Sequence, residues 1–491
     1  LGSGAFDHAF FGYYRTGIYL FSVLRRSRMK KIFGLAVKGI CVMLPMIVIW
    51  VYTWINPLGF MTDGTPFDLW NKEKTNTKQE KYYEAVFLGD STANAAYVPE
   101  ILSDASINLS LGSITPMEAY YILGDWLEHN DAPKVCYISF LDYHMKDTNA
   151  FWSRTMYTHR FRLDQNLEMM KAILAKGEGT AIGTENYITD FIAYELRLPN
   201  KYITSLMNAG FNQRYEENVE ARRLSALHGG RYIARGTEVY KTSKTIKFNK
   251  FKVHPLFDDY YRRLIKMCLE NDIQVRLVKL PLPDNEKFTE NYEEEFQSYY
   301  EQLKEDYPDI TVDWIPTYEQ EYFADRNHVN SHGALQFSKE IKERYPDDFT
   351  EKMSAGRIEA LNDSIADENK ADQIIQWASG KDYTLLFQDE TGKFTSVYEK
   401  LLKSNSYSVK ELKSKKMKVY YAFGTDEGNE KAVSVREEKG KVVIKIKGED
   451  VRKWKKVDKD VLRVMVIDNY NNQIVCEKSF KYEKETFHLI K

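Results

Sequence analysis

Cysteine is scarce in this chain: four in 491 residues, at positions 41, 136, 268 and 476. Thiols so few and so far apart give no disulfide framework and no Cys-x-x-Cys pair, so a cysteine-built structural metal site is not expected. Charge of one sign is lacking as well. The 69 basic residues nearly cancel the 71 acidic ones, which removes the polycationic signature of a nucleic-acid binder. Long apolar runs are nearly absent, with one exception near the N-terminus. At this length about three domains is the natural prior.

That exception spans residues 32–55, with Lys38 as its single charge. It is long enough to cross a hydrocarbon core of about 30 Å. Trp50, Tyr52 and Trp54 gather at its far end, where amphipathic rings favour the membrane interface. Arg25, Arg26, Arg28, Lys30 and Lys31 precede it, whereas residues 56–64 carry no basic group. The positive-inside rule then keeps residues 1–31 in the cytoplasm and sends everything after Pro57 outside. A cleaved signal peptide is the rival, but the run exceeds the usual apolar region and has no Ala-x-Ala-like exit. The expectation is an uncleaved single-pass anchor in the plasma membrane. Residues 1–28 read either as an interfacial helix or as sequence upstream of a start at Met29. Residues 56–81 are polar and read as a solvated stalk.

From residue 82 to 349, strand and helix signals alternate. Strands are expected at 85–88, 106–111, 135–141, 273–280 and 310–314. Helices are expected from about 93, interrupted at Pro99, and over 116–129, 258–271, 292–307 and 333–345. Such alternation implies an α/β fold, a parallel sheet with helices on both faces. A mainly helical insertion, rich in Arg and Tyr, occupies about 142–252. Residues 350–378 read as a helical connector. Beyond 379 the texture changes to short strands split by turn signals, at 383–388, 416–423, 432–436, 441–447, 461–467 and 473–480. These suggest a small sandwich or barrel-like β domain. The basic run at 452–456 suits an anionic polymer, but a charge run is usually a solvated face.

The strand at 85–88 delivers Gly89-Asp90-Ser91, and a helix follows. A serine in such a turn either caps the helix or stands clear of the sheet as a nucleophile. A serine hydroxyl needs a base, and the base an acidic partner. Asp325 and His328 lie three apart on a loop near the other end of the α/β region. Ser91 follows the first strand and His328 the last, so both loops are expected over the carboxyl edge of the sheet, where ligands bind in such folds.

With a Gly-Asp-Ser turn early and an Asp-x-x-His loop late, residues 82–345 resemble the SGNH (GDSL-type) hydrolase superfamily, whose fold is flavodoxin-like. The resemblance implies Ser91 as nucleophile, His328 as general base and Asp325 as its orienting acid, with no cofactor and no metal. It also implies an oxyanion hole built from the backbone N–H groups of Ser91 and of a glycine after the second strand. Gly112 falls there, although a glycine at that point also serves simply to end a strand. A third donor, an Asn in a Gly-x-Asn-Asp block, is absent: Phe140-Leu-Asp-Tyr-His144 stands instead. Ionised Asp142 donates nothing. Asp142, His144, Arg154, His159 and Arg160 are candidates for lining the crevice. His332, four past His328, lacks the carboxylate a metal pair would want and reads as a surface or capping residue.

Membrane-anchored members of the superfamily that move acyl groups on cell-surface polymers share this organisation. The D-alanyl transfer protein of teichoic acid modification and the alginate O-acetylation proteins are examples. By that resemblance the chain is a serine acyltransferase or esterase acting on an ester-linked acyl group, of acetyl or D-alanyl type, of an envelope polysaccharide. A multispanning membrane O-acyltransferase is the implied partner. The alternative from a different class is a noncatalytic polysaccharide-binding scaffold, with the β tail as a second binding module. A secreted lipase-like hydrolase is a third reading, which the uncleaved anchor opposes.

Overall fold

The computed structural model describes residues 30–52, 65–142, 145, 160–175, 214–231, 240–351 and 354–490, apart from short gaps within these ranges. The apolar N-terminal run forms one helix, α1 (Lys30–Tyr52), of 23 residues and mean hydropathy 2.4. None of its most apolar stretch is buried by the rest of the chain, and by length and composition it is able to cross a membrane.

Where a polar stalk is expected, the chain instead folds into α2 (Thr65–Thr75). Phe67 and Trp70 lie three apart, on one face of that helix. Trp70 is buried in the same core cluster as Val86, Leu88 and Ile107, with Phe67 packed against it. The solvated-stalk reading therefore fails over these residues. Two apolar rings are enough to dock a helix that is otherwise Lys- and Glu-rich.

Five parallel strands make the central sheet: β1 (Ala85–Gly89), β2 (Ser106–Asn108), β3 (Val135–Ser139), β5 (Gln274–Lys279) and β7 (Thr311–Trp314), in the order β2-β1-β3-β5-β7. The side-chain period of two sends Val86 and Leu88 to one face and Ala85 and Phe87 to the other. The first set packs with Ile122, Trp126, Leu264 and Cys268 from α5 (Pro116–His129) and α8 (Pro255–Glu270). The second packs with Ala93, Ala96, Phe337 and Ile341 from α3 (Ser91–Ala96) and α10 (Ser331–Arg344). Both faces are thus covered, as the near-continuous apolar strands require. The helix expected from residue 93 breaks at Tyr97–Val98, and Pro99 opens the short α4 (Pro99–Leu102). Proline tolerates the first helical position and disfavours helix in the residue before it.

Of the insertion, α6 (Leu163–Ala175), α7 (Arg214–Leu227) and β4 (Ile246–Phe248) are described. The last pairs in parallel with β6 (Glu286–Phe288), just before α9 (Glu290–Asp306).

The connector is helical, α11 (Ala355–Asp367) and α12 (Ala371–Trp377). The C-terminal region has a six-stranded sheet, β16-β15-β14-β8-β10-β9, and a three-stranded one, β11-β12-β13. Their ranges are β8 (Tyr383–Asp389), β9 (Tyr407–Leu412), β10 (Val419–Gly424), β11 (Val433–Glu438), β12 (Lys441–Ile446), β13 (Glu449–Trp454), β14 (Val461–Asp468), β15 (Gln473–Glu483) and β16 (Thr486–Leu489). Leu386, Met465 and Ile467 of the large sheet share a core with Val442, Ile444 and Trp454 of the small one, which makes a sandwich. The opposite face of the large sheet, Leu385, Phe387, Leu462 and Val464, joins the cluster that includes Phe87 and Phe337 of the α/β unit. The basic run at 452–456 lies in and beyond β13. Arg452 pairs with Glu477 at 2.9 Å, and Lys453 with Asp450 at 3.0 Å. Trp454 is buried, and its Nε1 donates to Glu477.

Candidate active site

The serine turn is built by close approach and capping. A Cβ on Gly89 would collide with the carbonyl of Ser139 and with Ala93, so only glycine lets β1 leave the sheet so near β3. Asp90 is fully buried and is the N-cap of α3. Its Oδ1 accepts from the N–H of Thr92 at 2.9 Å and from that residue's hydroxyl at 2.5 Å. Its Oδ2 accepts from the N–H of Leu141 at 3.0 Å, which ties the turn to the loop after β3. Ser91 is the first residue of the helix and half-buried.

The histidine loop is folded by its own acid. Asp325 Oδ1 accepts from the backbone N–H of Asn327 at 2.8 Å and of His328 at 2.9 Å. An Asp side chain closing its own turn is a common loop device. Phe323 and Val329 form an antiparallel bridge at the base of this loop. Asn330 then caps α10, accepting from Gly333 at 3.1 Å. Arg326, between the two site residues, donates to buried Glu286 at 2.5 Å.

These two loops meet because their helices pack. Ser338 of α10 donates to the carbonyl of Ala96 at 3.0 Å and accepts from the N–H of Val98 at 2.9 Å. Tyr97 and Phe337 stack edge to face. The result brings together side chains 237 positions apart: His328 Nε2 lies 2.8 Å from Ser91 Oγ. On the other side of the ring, Nδ1 lies 2.9 Å from Asp325 Oδ1 and 3.0 Å from Oδ2. A carboxylate only accepts, so the Nδ1–H donates to it and Nε2 is left to accept the serine proton. Burial raises the Asp325 carboxyl, but the hydrogen bond from His328, the N–H of Asn327 and the nearby imidazole outweigh that and hold it well below the usual carboxylate range. Asp325 therefore stays ionised.

The segment after β2 continues the parallel pairing. Leu109 donates to the carbonyl of Phe87 at 2.9 Å and Leu111 to that of Gly89 at 3.1 Å. Gly112 therefore follows a residue paired two positions before Ser91. Neither the Ser91 nor the Gly112 N–H donates to an acceptor among the described residues.

Asp142 is a different matter. It is buried, its Oδ2 lies 3.0 Å from Lys279 Nζ, and Tyr292 donates to it at 3.2 Å. Lys279 in turn sits over the Phe296 ring, 4.1 Å from its centroid. Burial pushes the Asp142 carboxyl up, while Lys279 and Tyr292 pull it back. That side chain is committed to holding β3, β5 and α9 together rather than to meeting a substrate. Arg160 is also buried, donating to Thr75 of α2 at 2.9 Å, and does not line an open crevice. His144, Arg154 and His159 lie outside the described residues, as does the side chain of His332. Among the described residues no group of three or more His, Cys, Asp and Glu side chains is arranged to hold a metal ion.

Sequence reasoning missed the roles of Asp90, Glu286 and Asn94. An Asp before Ser-Thr at a helix start carries a capping signal that would have found Asp90. Glu286 reaches Arg326 across 40 positions, which no local pattern announces. Upstream of the histidine loop in sequence lies an open groove of about 540 Å³, lined by Tyr240, Thr242, Ser243, Asp284, Glu319 and Gln320 among others but by none of Ser91, Asp325 and His328. Set against protein-family models and against curated proteins, the chain matches none.

Proposed function

We propose that this protein is a membrane-anchored serine acyltransferase or esterase of SGNH type, working outside the cytoplasm on an ester-linked acyl group of a cell-envelope polysaccharide. One observation carries the reading: Ser91 Oγ, His328 and Asp325 form a continuous hydrogen-bonded chain, at 2.8 Å and 2.9 Å, above the carboxyl edge of a parallel sheet. In this arrangement His328 Nε2 takes the proton as Ser91 Oγ attacks the ester carbonyl. The N–H groups of Ser91 and Gly112 receive the oxyanion. Collapse expels the alcohol, which leaves with the proton from His328, and the acyl group stays on Ser91 as an ester. An acceptor hydroxyl then completes transfer, or water completes hydrolysis, by the reverse sequence. The apolar α1 and the basic residues before it support the anchor and its orientation.

The oxyanion hole of this reading has two donors rather than three, because Asp142 is turned to Lys279. Loss of one donor costs about a hundredfold or more in rate, which suits slow transfer better than fast hydrolysis. The same substitution is what a noncatalytic polysaccharide-binding scaffold would retain. The test is labelling of the detergent-solubilised full chain by a fluorophosphonate probe. The expected result is one labelled serine, lost in Ser91→Ala and in His328→Ala. Absence of labelling at large probe excess would leave the scaffold in its place. Incubation with acylated and with bare envelope glycans then separates removal of the acyl group from its addition.

A further inference from the structure

The nucleophile helix carries a second group whose geometry concerns the reaction. Asn94 lies one turn after Ser91 and is buried, 3% exposed. Its Nδ2 donates to the carbonyl of Ser110 at 2.6 Å and to that of Gly230 at 2.9 Å. The Ser110 carbonyl and the Leu111 N–H belong to one peptide plane. The carbonyl end of that plane is held by Asn94, and its N–H end donates to Gly89 at 3.1 Å. The next N–H along the chain is that of Gly112.

The other arm of Asn94 reaches the insertion. The carbonyl of Gly229 accepts from Asn108 N–H at 2.8 Å, and Gly230 has φ of +92°. A Cβ at Gly230 would strike the Asn108 carbonyl and the Trp70 ring, so the turn is pressed onto the end of β2 by α2. One carboxamide thus joins three parts of the chain: the helix of the nucleophile, the loop of the second oxyanion donor, and the end of α7 in the insertion.

We propose that Asn94 is the positioning residue of the oxyanion loop, fixing the peptide plane before Gly112 so that the Gly112 and Ser91 N–H groups converge on one point. The proposal rests on the serine reading above. Asn suits the position because it is short and offers two N–H donors, and both are used. Ala offers none. Asp at neutral pH would set a carboxylate against two carbonyl oxygens.

The experiment is hydrolysis of p-nitrophenyl acetate by the solubilised full chain, with folded fraction followed by thermal unfolding. Wild type that neither turns over the ester nor labels with a fluorophosphonate sinks the serine reading itself, whatever Asn94 does. With an active wild type, Asn94→Ala is expected to lose tenfold or more in kcat. KM should stay within threefold, and the shape of the pH profile should not change. Asn94→Asp supplies the readout that a merely structural role would not move. Its activity relative to wild type should rise as pH falls, because the protonated acid regains one donor toward Ser110. Wild-type kcat in Asn94→Ala overturns the proposal, as does a flat Asn94→Asp ratio across pH. So does a loss of kcat that only follows the folded fraction in both variants, which would assign Asn94 to the fold.

Discussion

Asp325 performs two tasks with one carboxylate: it closes its own loop through the N–H groups of Asn327 and His328, and it holds the His328 ring. Its carboxyl is held below the ordinary range by the groups that accept its charge. The sign of the linkage follows. A carboxyl depressed in the folded state adds stability that is present above its unfolded pKa, about 4, and is lost only as pH falls through the folded value. Above about pH 4 the site should therefore show no ionisation of the Asp325 carboxyl in kcat/KM. A carboxylate ionisation above that pH, absent from Asp325→Asn, would contradict this assignment. In Asp325→Asn the amide cannot stabilise the charged ring and allows the wrong tautomer, so turnover should fall by about four orders of magnitude. The loop backbone, which keeps an oxygen acceptor at that position, should survive the change. Ser91, Asp325 and His328 were legible because their chemistry is local in type and their loops end strands. Asn94 was not, since its two partners lie 16 and 136 positions away.

At the scale of elements, α2 shows where polarity misleads. Between Thr65 and Thr75 four residues are charged, and only Phe67, Leu69 and Trp70 are large and apolar. The run reads as solvated, yet Trp70 is 4% exposed. What decided the structure was the waiting surface of β2 and the Gly230 turn, which a single window cannot contain. Removing the ring should be costly: Trp70→Ala is expected to lose about 3–5 kcal/mol of stability, measured as a lower urea midpoint at unchanged slope. A loss below about 1 kcal/mol would mean that α2 is not docked in solution. The strands that escaped sequence reading were β4, β6, β9, β13 and β16. Each is short and lies at a sheet edge, where one neighbour suffices and alternation is weak. β1, β3, β5 and β14 were legible because their apolar runs must be covered on both sides.

Over the whole molecule, the α/β unit and the C-terminal sandwich share one apolar cluster, with Phe87 and Phe337 at one end and Leu385, Leu462 and Phe480 at the other. Alternation and composition foresaw two units but not their common core, since a sheet face reads the same whether a helix or another domain covers it. Glu84, just before β1, ties the α/β unit to the start of the connector, accepting from the N–H and hydroxyl of Thr350, both at 2.8 Å. Truncation after Trp377 should therefore uncover an apolar face rather than release an independent unit. The expected outcome is strong binding of an apolar dye and aggregation, against little dye binding by the full chain. A soluble, dye-negative truncation would show the sandwich to be dispensable. A last consequence belongs to the junction between α1 and α2. Only twelve residues separate Tyr52 from Thr65, and a fully extended chain gains at most about 3.6 Å per residue. With α1 in a bilayer, the hydroxyl of Ser91 is leashed to a shell a few tens of ångströms deep. Under the proposed function, a polymer growing outward would be worked only on the part still passing through that shell.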